Sequence, residues 1–76
     1  MDTRLHSVDV RVERKQLTLD LKENPQGRFL RVTEEVNGRH NSIIIPATGL
    51  ELFRDTLNEV IKSSKTLPPG LMTAQG

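Results

Sequence analysis

Apolar residues at every second position, in a phase that switches along the chain, constrain this sequence more than any other feature. Val8, Val10 and Val12 alternate with Asp9, Arg11 and Glu13, and Leu17, Leu19 and Leu21 alternate with Gln16, Thr18, Asp20 and Lys22. A period of two belongs to a half-buried strand, whose successive side chains point to opposite faces of a sheet. The apolar positions are even-numbered in the first run and odd-numbered in the second. A one-residue slip carries a side chain to the other face. The polar stretch Glu13-Arg14-Lys15-Gln16 must therefore hold a bulge, bend or turn. Strands are expected over residues 7–13 and 15–23, and a third over 28–36 with Leu30 and Val32 inward.

The breaks between these runs have their own chemistry. Asn24, Pro25 and Gly27 are turn formers, and Asn37-Gly38 is a strong reverse-turn signal. After it, Ser42 to Pro46 reads as a short β-branched strand with Ile43 and Ile45 on one face and Ile44 on the other. Thr48 and Glu51 stand three apart, the spacing of a capping box, and predict a helix start. Leu50, Phe53, Leu57, Val60 and Ile61 then recur at helical intervals. The helix is expected to end near Ser63 or Ser64. Residues 65–76, with two prolines and no periodicity, read as a flexible tail after a folded unit over 1–64. Four antiparallel strands followed by one helix make an α+β unit, ββββα.

Seventy-six residues suffice for one domain near the small end of what folds alone. Only 34% of them are hydrophobic, with two Phe, no Trp, no Tyr and no Cys. The core must be aliphatic and thin, and neither a disulfide nor a thiolate metal site can reinforce it. One helix covers only part of a four-stranded sheet, and Leu52 lies off the main helical stripe as a second contact surface. A partner subunit is therefore expected to complete the core, with Leu50, Phe53, Leu57, Val60 and Ile61 buried in a homodimer. The net charge of +1 means that any attraction to nucleic acid must come from a local patch. No apolar run approaches transmembrane length, and residues 1–15 do not resemble a signal peptide. The expectation is a soluble intracellular chain with no membrane partner.

Catalytic and metal-binding patterns are missing from the sequence. His6 and His40 are far apart and lack acidic residues at ligand spacing. Ser7 and Ser42 lie close to those histidines but in no nucleophile elbow. Glu34 and Glu35 are adjacent, so on a strand they face opposite sides. The glycines fall at turns and caps rather than in a phosphate-binding loop. The reading is a non-enzyme without cofactor or metal.

The segment "DLKENPQGRFLRV", residues 20–32, is different. If Leu30 and Val32 face the core, Phe29 and Arg31 point the other way, onto a face shared with Thr33, Gln16, Thr18, Asp20 and Lys22. Lys22, Asn24, Arg28 and Arg31 supply cations and an amide around one turn. Cations, hydrogen-bonding groups and a π-face are the parts that single-stranded nucleic acid binding uses. From the residues alone, an alternative stands beside it: Phe29 packs beneath a tail, helix or second subunit. Asp20, Glu23 and Glu35 temper the electrostatic case.

The same segment, followed by "IIIPATGLELFRDTLNEVI", resembles the Pur repeat of the purine-rich-element-binding (Pur-alpha) family over about residues 8–62. The resemblance implies a ββββα repeat that pairs with a second repeat through crossed helices. It implies binding to single-stranded purine-rich DNA or RNA, in transcription, replication or RNA transport, hence in nucleus or cytoplasm. It also implies duplex opening by an aromatic wedge. By position, the family's Lys-x-Asn-x-Arg motif falls on Lys22, Asn24 and Gln26, and the stacking aromatic on Phe29. Gln26 replaces a basic residue, a loss that Arg28 is placed to offset. The family's base-contacting Gln-Ser pair falls on Glu13 and Arg14. The implied interface is Lys22, Asn24, Gln26, Arg28, Phe29 and Arg31. A dimerising protein-interaction module of the same fold is the competing function. A third reading makes these residues one repeat of a longer protein.

Overall fold

The computed structural model describes residues 2–67. Strands β1 (Thr3–Val12), β2 (Lys15–Asn24), β3 (Gly27–Val36) and β4 (Arg39–Pro46) form one antiparallel sheet in the order β1-β2-β3-β4. A 3₁₀ turn, Ala47–Gly49, leads into helix α1, Leu50–Thr66. This is the expected ββββα unit, with β1 and β4 reaching further than their apolar alternation indicated.

Three two-residue turns explain the switching phase. In each hairpin the paired residue numbers have an odd sum: Val10 faces Leu17, Leu19 faces Val32 and Leu30 faces Ile45. Even-numbered apolar positions must then be answered by odd-numbered ones on the next strand. The stretch Glu13 to Gln16 holds a turn, with Glu13 at φ 57° and Lys15 already in β2. At the third turn Asn37 and Gly38 have φ of 52° and 80°, the paired positive values that match hairpin twist and favour Asn-Gly. At the middle turn the Gln26 N–H donates to Asn24 Oδ1 at 2.9 Å, and Pro25 presets the backbone beside it. A bulge does occur, but in β1. Pairing shifts by one between Arg4 and His6, leaving Leu5 as the extra residue.

The helix departs from expectation at both ends. Thr48 lies within the 3₁₀ turn, and neither it nor Gly49 makes a side-chain capping bond. Pro46 ends β4 in an extended conformation, and the backbone closes the turn itself through the Leu50 N–H and Ala47 carbonyl. The sequence spacing of a capping box is present without its hydrogen bonds. At the other end Ser63 and Ser64 do not stop the helix. It runs through Thr66, whose hydroxyl donates to the Ser63 carbonyl at 3.2 Å, so Lys65 and Thr66 are helical rather than tail. Leu67 is extended. Pro68 follows it, and a proline disfavours helical backbone in the residue before it. The rest of the expected tail, from residue 68, lies outside the described residues.

Most consequential is where the helix goes. It leaves the sheet at the 3₁₀ turn, and no strand makes more than marginal contact with it. The radius of gyration is 15.1 Å, against about 11 Å for a compact chain of this length. Among the described residues no side chain is fully buried. Leu17, Leu19, Leu21, Leu30, Val32 and Ile45 share one sheet face and are only half-buried. Phe53, Leu57 and Ile61 on the helix are 45%, 46% and 43% exposed. One copy holds both halves of a core and does not bring them together.

Candidate nucleic-acid interface

The face opposite that apolar set is built in cross-strand rows. Arg4, Lys22, Phe29 and Pro46 form the row nearest the β2–β3 turn. Ser7, Asp20, Arg31 and Ile44 form the next, and Asp9, Thr18, Thr33 and Ser42 the one after. The sharing of one face by Phe29, Arg31, Lys22, Asp20 and Thr18 matches the alternation read from the sequence. Phe29 itself is half-buried, less open than its place on the polar face suggests. The physical reason is its immediate neighbours: directly opposed cross-strand side chains lie close enough to cover one another, and Phe29 has Lys22 on one side and Pro46 on the other.

Two carboxylates of this face, Asp20 and Asp9, accept hydrogen bonds from hydroxyls. Ser7 Oγ donates to Asp20 at 2.6 Å, and Thr18 Oγ1 donates to Asp9 at 2.8 Å. Among the described residues the ion pairs are Lys15–Glu34, Arg28–Glu23 and Arg54–Asp55. Lys22, Arg31 and Arg4 enter none of them, so three cations remain available beside the Phe29 ring. Arg4 was not foreseen. Its signal was the broken spacing of Leu5 and Val8, which hides the bulge that turns Arg4 onto this face.

An open groove of about 440 Å³ runs beside the ring, lined by Phe29, Arg31, Ile44, Pro46, Asp2 and the turn residues Asn24 to Arg28 other than Pro25. Ile44 is 62% exposed, an aliphatic surface continuing the ring on an otherwise polar face. Asn24 spends its carbonyl oxygen on the turn, which leaves its amide N–H groups to face a ligand. Gln26 stands exposed at the turn. Arg28 joins the groove from the other strand phase. It pairs in register with Glu23, on the strand phase of Leu30, and its Nε lies 3.4 Å from Glu23 Oε2. Glu13 and Arg14 sit in the β1–β2 turn, at the other end of the sheet from Phe29, about 25 Å away at 3.3 Å per strand residue. The structure thus gathers Asn24, Gln26, Arg28, Phe29 and Arg31 around one groove, with Lys22 directly across from Phe29.

His6 and His40 do not meet. His6 pairs with Leu21 on the apolar phase, and His40 pairs with Glu35 on the polar one. Among the described residues no group of three His, Cys, Asp or Glu side chains is placed to hold a metal ion. Among them, too, no helix is long and apolar enough to cross a membrane.

Comparison with known proteins agrees with the fold and the hairpin. Residues 2–66 match the PurA family, described as PurA ssDNA and RNA-binding protein. The chain is 38% identical over 64 residues to Transcription factor Pur-alpha 1 of Arabidopsis thaliana, a match covering 84% of this chain and 22% of that protein. It is 41% identical over 56 residues to Transcriptional activator protein Pur-alpha of Homo sapiens, covering 64% of this chain and 17% of the relative. Purine-rich element-binding protein gamma of Homo sapiens matches at 33% over 63 residues, covering 66% and 18%. The chain spans about a fifth of the length of these relatives. With the family match running through all four strands and the helix, the chain belongs to the PurA family and carries a single Pur repeat.

Proposed function

We propose that this repeat binds single-stranded, purine-rich DNA or RNA through the polar sheet face, within a regulator of transcription or of RNA that acts in nucleus or cytoplasm. The observation that carries the reading is the row Arg4–Lys22–Phe29–Pro46 beside an open groove: an aromatic ring flanked by cations that enter no ion pair among the described residues. Lys22 takes phosphate, and bases stack on Phe29 and lie along Ile44. Stacking contributes roughly 1–3 kcal/mol per base and tolerates different bases. Family membership supports the same reading, as do relatives named as transcription factor and transcriptional activator. Phe29 beside a hairpin also suits a wedge that parts stacked bases, the basis for duplex opening.

The working unit in this proposal is a dimer. The helix stripe of Leu50, Phe53, Leu57, Val60 and Ile61 lies across the apolar sheet face of a second repeat. An isolated copy with no buried side chain among its described residues is what such an exchange predicts.

The test is titration of labelled GGN-repeat single strands, as DNA and as RNA, against a pyrimidine control. Tight, purine-selective binding is expected. Absence of binding at low salt would favour the other reading, a dimerising protein-interaction module. That reading draws on the same uncovered helix and sheet, and on Gln26 standing where the family carries a basic residue.

A further inference from the structure

Arg31 lies two residues along β3 from Phe29 and on the same face, with Asp20 and Ile44 as cross-strand neighbours. An arginine opposite an aspartate is ordinarily explained as an ion pair. Here it is not one: Asp20 accepts from Ser7 Oγ at 2.6 Å, and among the described residues Arg31 belongs to no ion pair. Its Nη2 instead donates a long hydrogen bond, 3.4 Å, to Ser42 Oγ on β4. That bond draws the guanidinium past the exposed Ile44 toward the row beyond, away from Phe29, but at 3.4 Å it is long enough for a ligand to displace, and Arg31 still lines the groove beside the ring. The Asn24 carbonyl oxygen is spent on the turn, so Asn24 likewise has donors left to offer.

We propose that Arg31 reads the O6 and N7 edge of a guanine stacked against Phe29, and so is a specificity-determining residue rather than a phosphate contact. This rests on the nucleic-acid reading above. Guanine alone presents two adjacent acceptors on that edge. Adenine pairs an acceptor with a donor, cytosine offers a donor, and thymine offers one acceptor beside a methyl group. A planar fork of donors fits the first and meets an unpaired or opposed group in the others. A phosphate fits the position poorly. Asp20 lies directly across from Arg31 and Asp2 stands on the groove rim, so two carboxylates oppose an anion there. Lys22 and Arg4, one row nearer the turn, are left for the backbone.

The experiment compares a GGN-repeat single strand with the same strand carrying 7-deazaguanine, which keeps the stacking rings and removes the N7 acceptor. Both are titrated against the wild-type protein and against Arg31→Met, which keeps the length of the side chain and removes its donors. Wild type is expected to prefer guanine by about tenfold. Arg31→Met is expected to bind both strands within about twofold of each other, at an unchanged melting temperature for an exposed substitution. Equal wild-type affinity for the two strands would overturn the role of Arg31 and leave nucleic-acid binding standing. So would a guanine preference that persists in Arg31→Met, or an equal loss on both strands, the mark of a phosphate contact. Failure of wild type to bind either strand at low salt would remove the functional reading itself, and this inference with it.

Discussion

The two faces of one sheet solve opposite problems with the same backbone. On one face, Val8, Val10, Leu17, Leu19, Leu21, Leu30, Val32, Ile43 and Ile45 form a continuous aliphatic surface, interrupted by the Lys15–Glu34 pair at 3.1 Å. Among the described residues no other element of the same copy covers it, and the helix with the matching stripe points elsewhere. The other face is polar and charged, and there Asp20 and Asp9 accept hydrogen bonds from Ser7 and Thr18. There the apolar element is small and local: Phe29, Ile44 and Pro46 around one groove. The first face is incomplete without a large apolar partner, because burial of such area is the main favourable term in folding. The second is complete as it stands and offers a stacking surface among free cations. The proposed function gives stability to one face and recognition to the other, and substitutions should separate them.

The largest effect is expected at Phe53. It is 45% exposed in one copy, yet it belongs to the stripe assigned to a second repeat. Phe53→Ala should cost about 3–5 kcal/mol, the range for truncating a buried core aromatic. Unfolding should become strongly dependent on protein concentration and the dimer should dissociate. Light scattering and thermal melts over a concentration series check this. A folded wild-type monomer at micromolar concentration would break the comparison, since the apolar face would then need no partner.

Phe29→Ala should act on the other face. The expected loss is roughly 1–3 kcal/mol of single-strand affinity, the contribution of one stacked base. Duplex opening should suffer more, because a wedge matters only where stacked bases must be parted. As the ring is half-buried against Lys22 and Pro46, a stability cost of about 1 kcal/mol should accompany it, near the centre of the range for point mutants. Melting temperature and affinity measured on the same variant sharpen the contrast. A steep fall in melting with unchanged affinity per folded molecule would make Phe29 a core residue that happens to face outward.

Lys22→Ala should have the smallest and least selective effect. All single strands should weaken alike, and the slope of log affinity against log salt should become shallower by about 0.7 for one lost phosphate contact. An unchanged slope would leave Lys22 as a solvated side chain and shift the electrostatic role to Arg4.

Much of this architecture was legible in the chain because it is local. Period-two alternation marks strands, Asn37-Gly38 and Asn24-Pro25 mark turns, and the spacing of Leu50, Phe53, Leu57, Val60 and Ile61 marks one side of a helix. The face of Phe29 followed from the same alternation. So did that of Arg28, which shares the even phase of Leu30, while its closeness to the turn lets it line the Phe29 groove as well. The tertiary structure decided what depends on register and direction. The bulge at Leu5 leaves no mark except a broken rhythm, yet it alone brings Arg4 opposite Lys22. Ile44 and Pro46 reach the Phe29 groove only because a two-residue turn sets the β3–β4 register. The helix start passed from a side-chain cap to a 3₁₀ turn after Pro46, and that turn sends α1 away from its own sheet. Alternation reports which face a residue takes, since that is a property of its own backbone. Neighbours across strands, and the direction in which a helix leaves, depend on turn geometry many residues away.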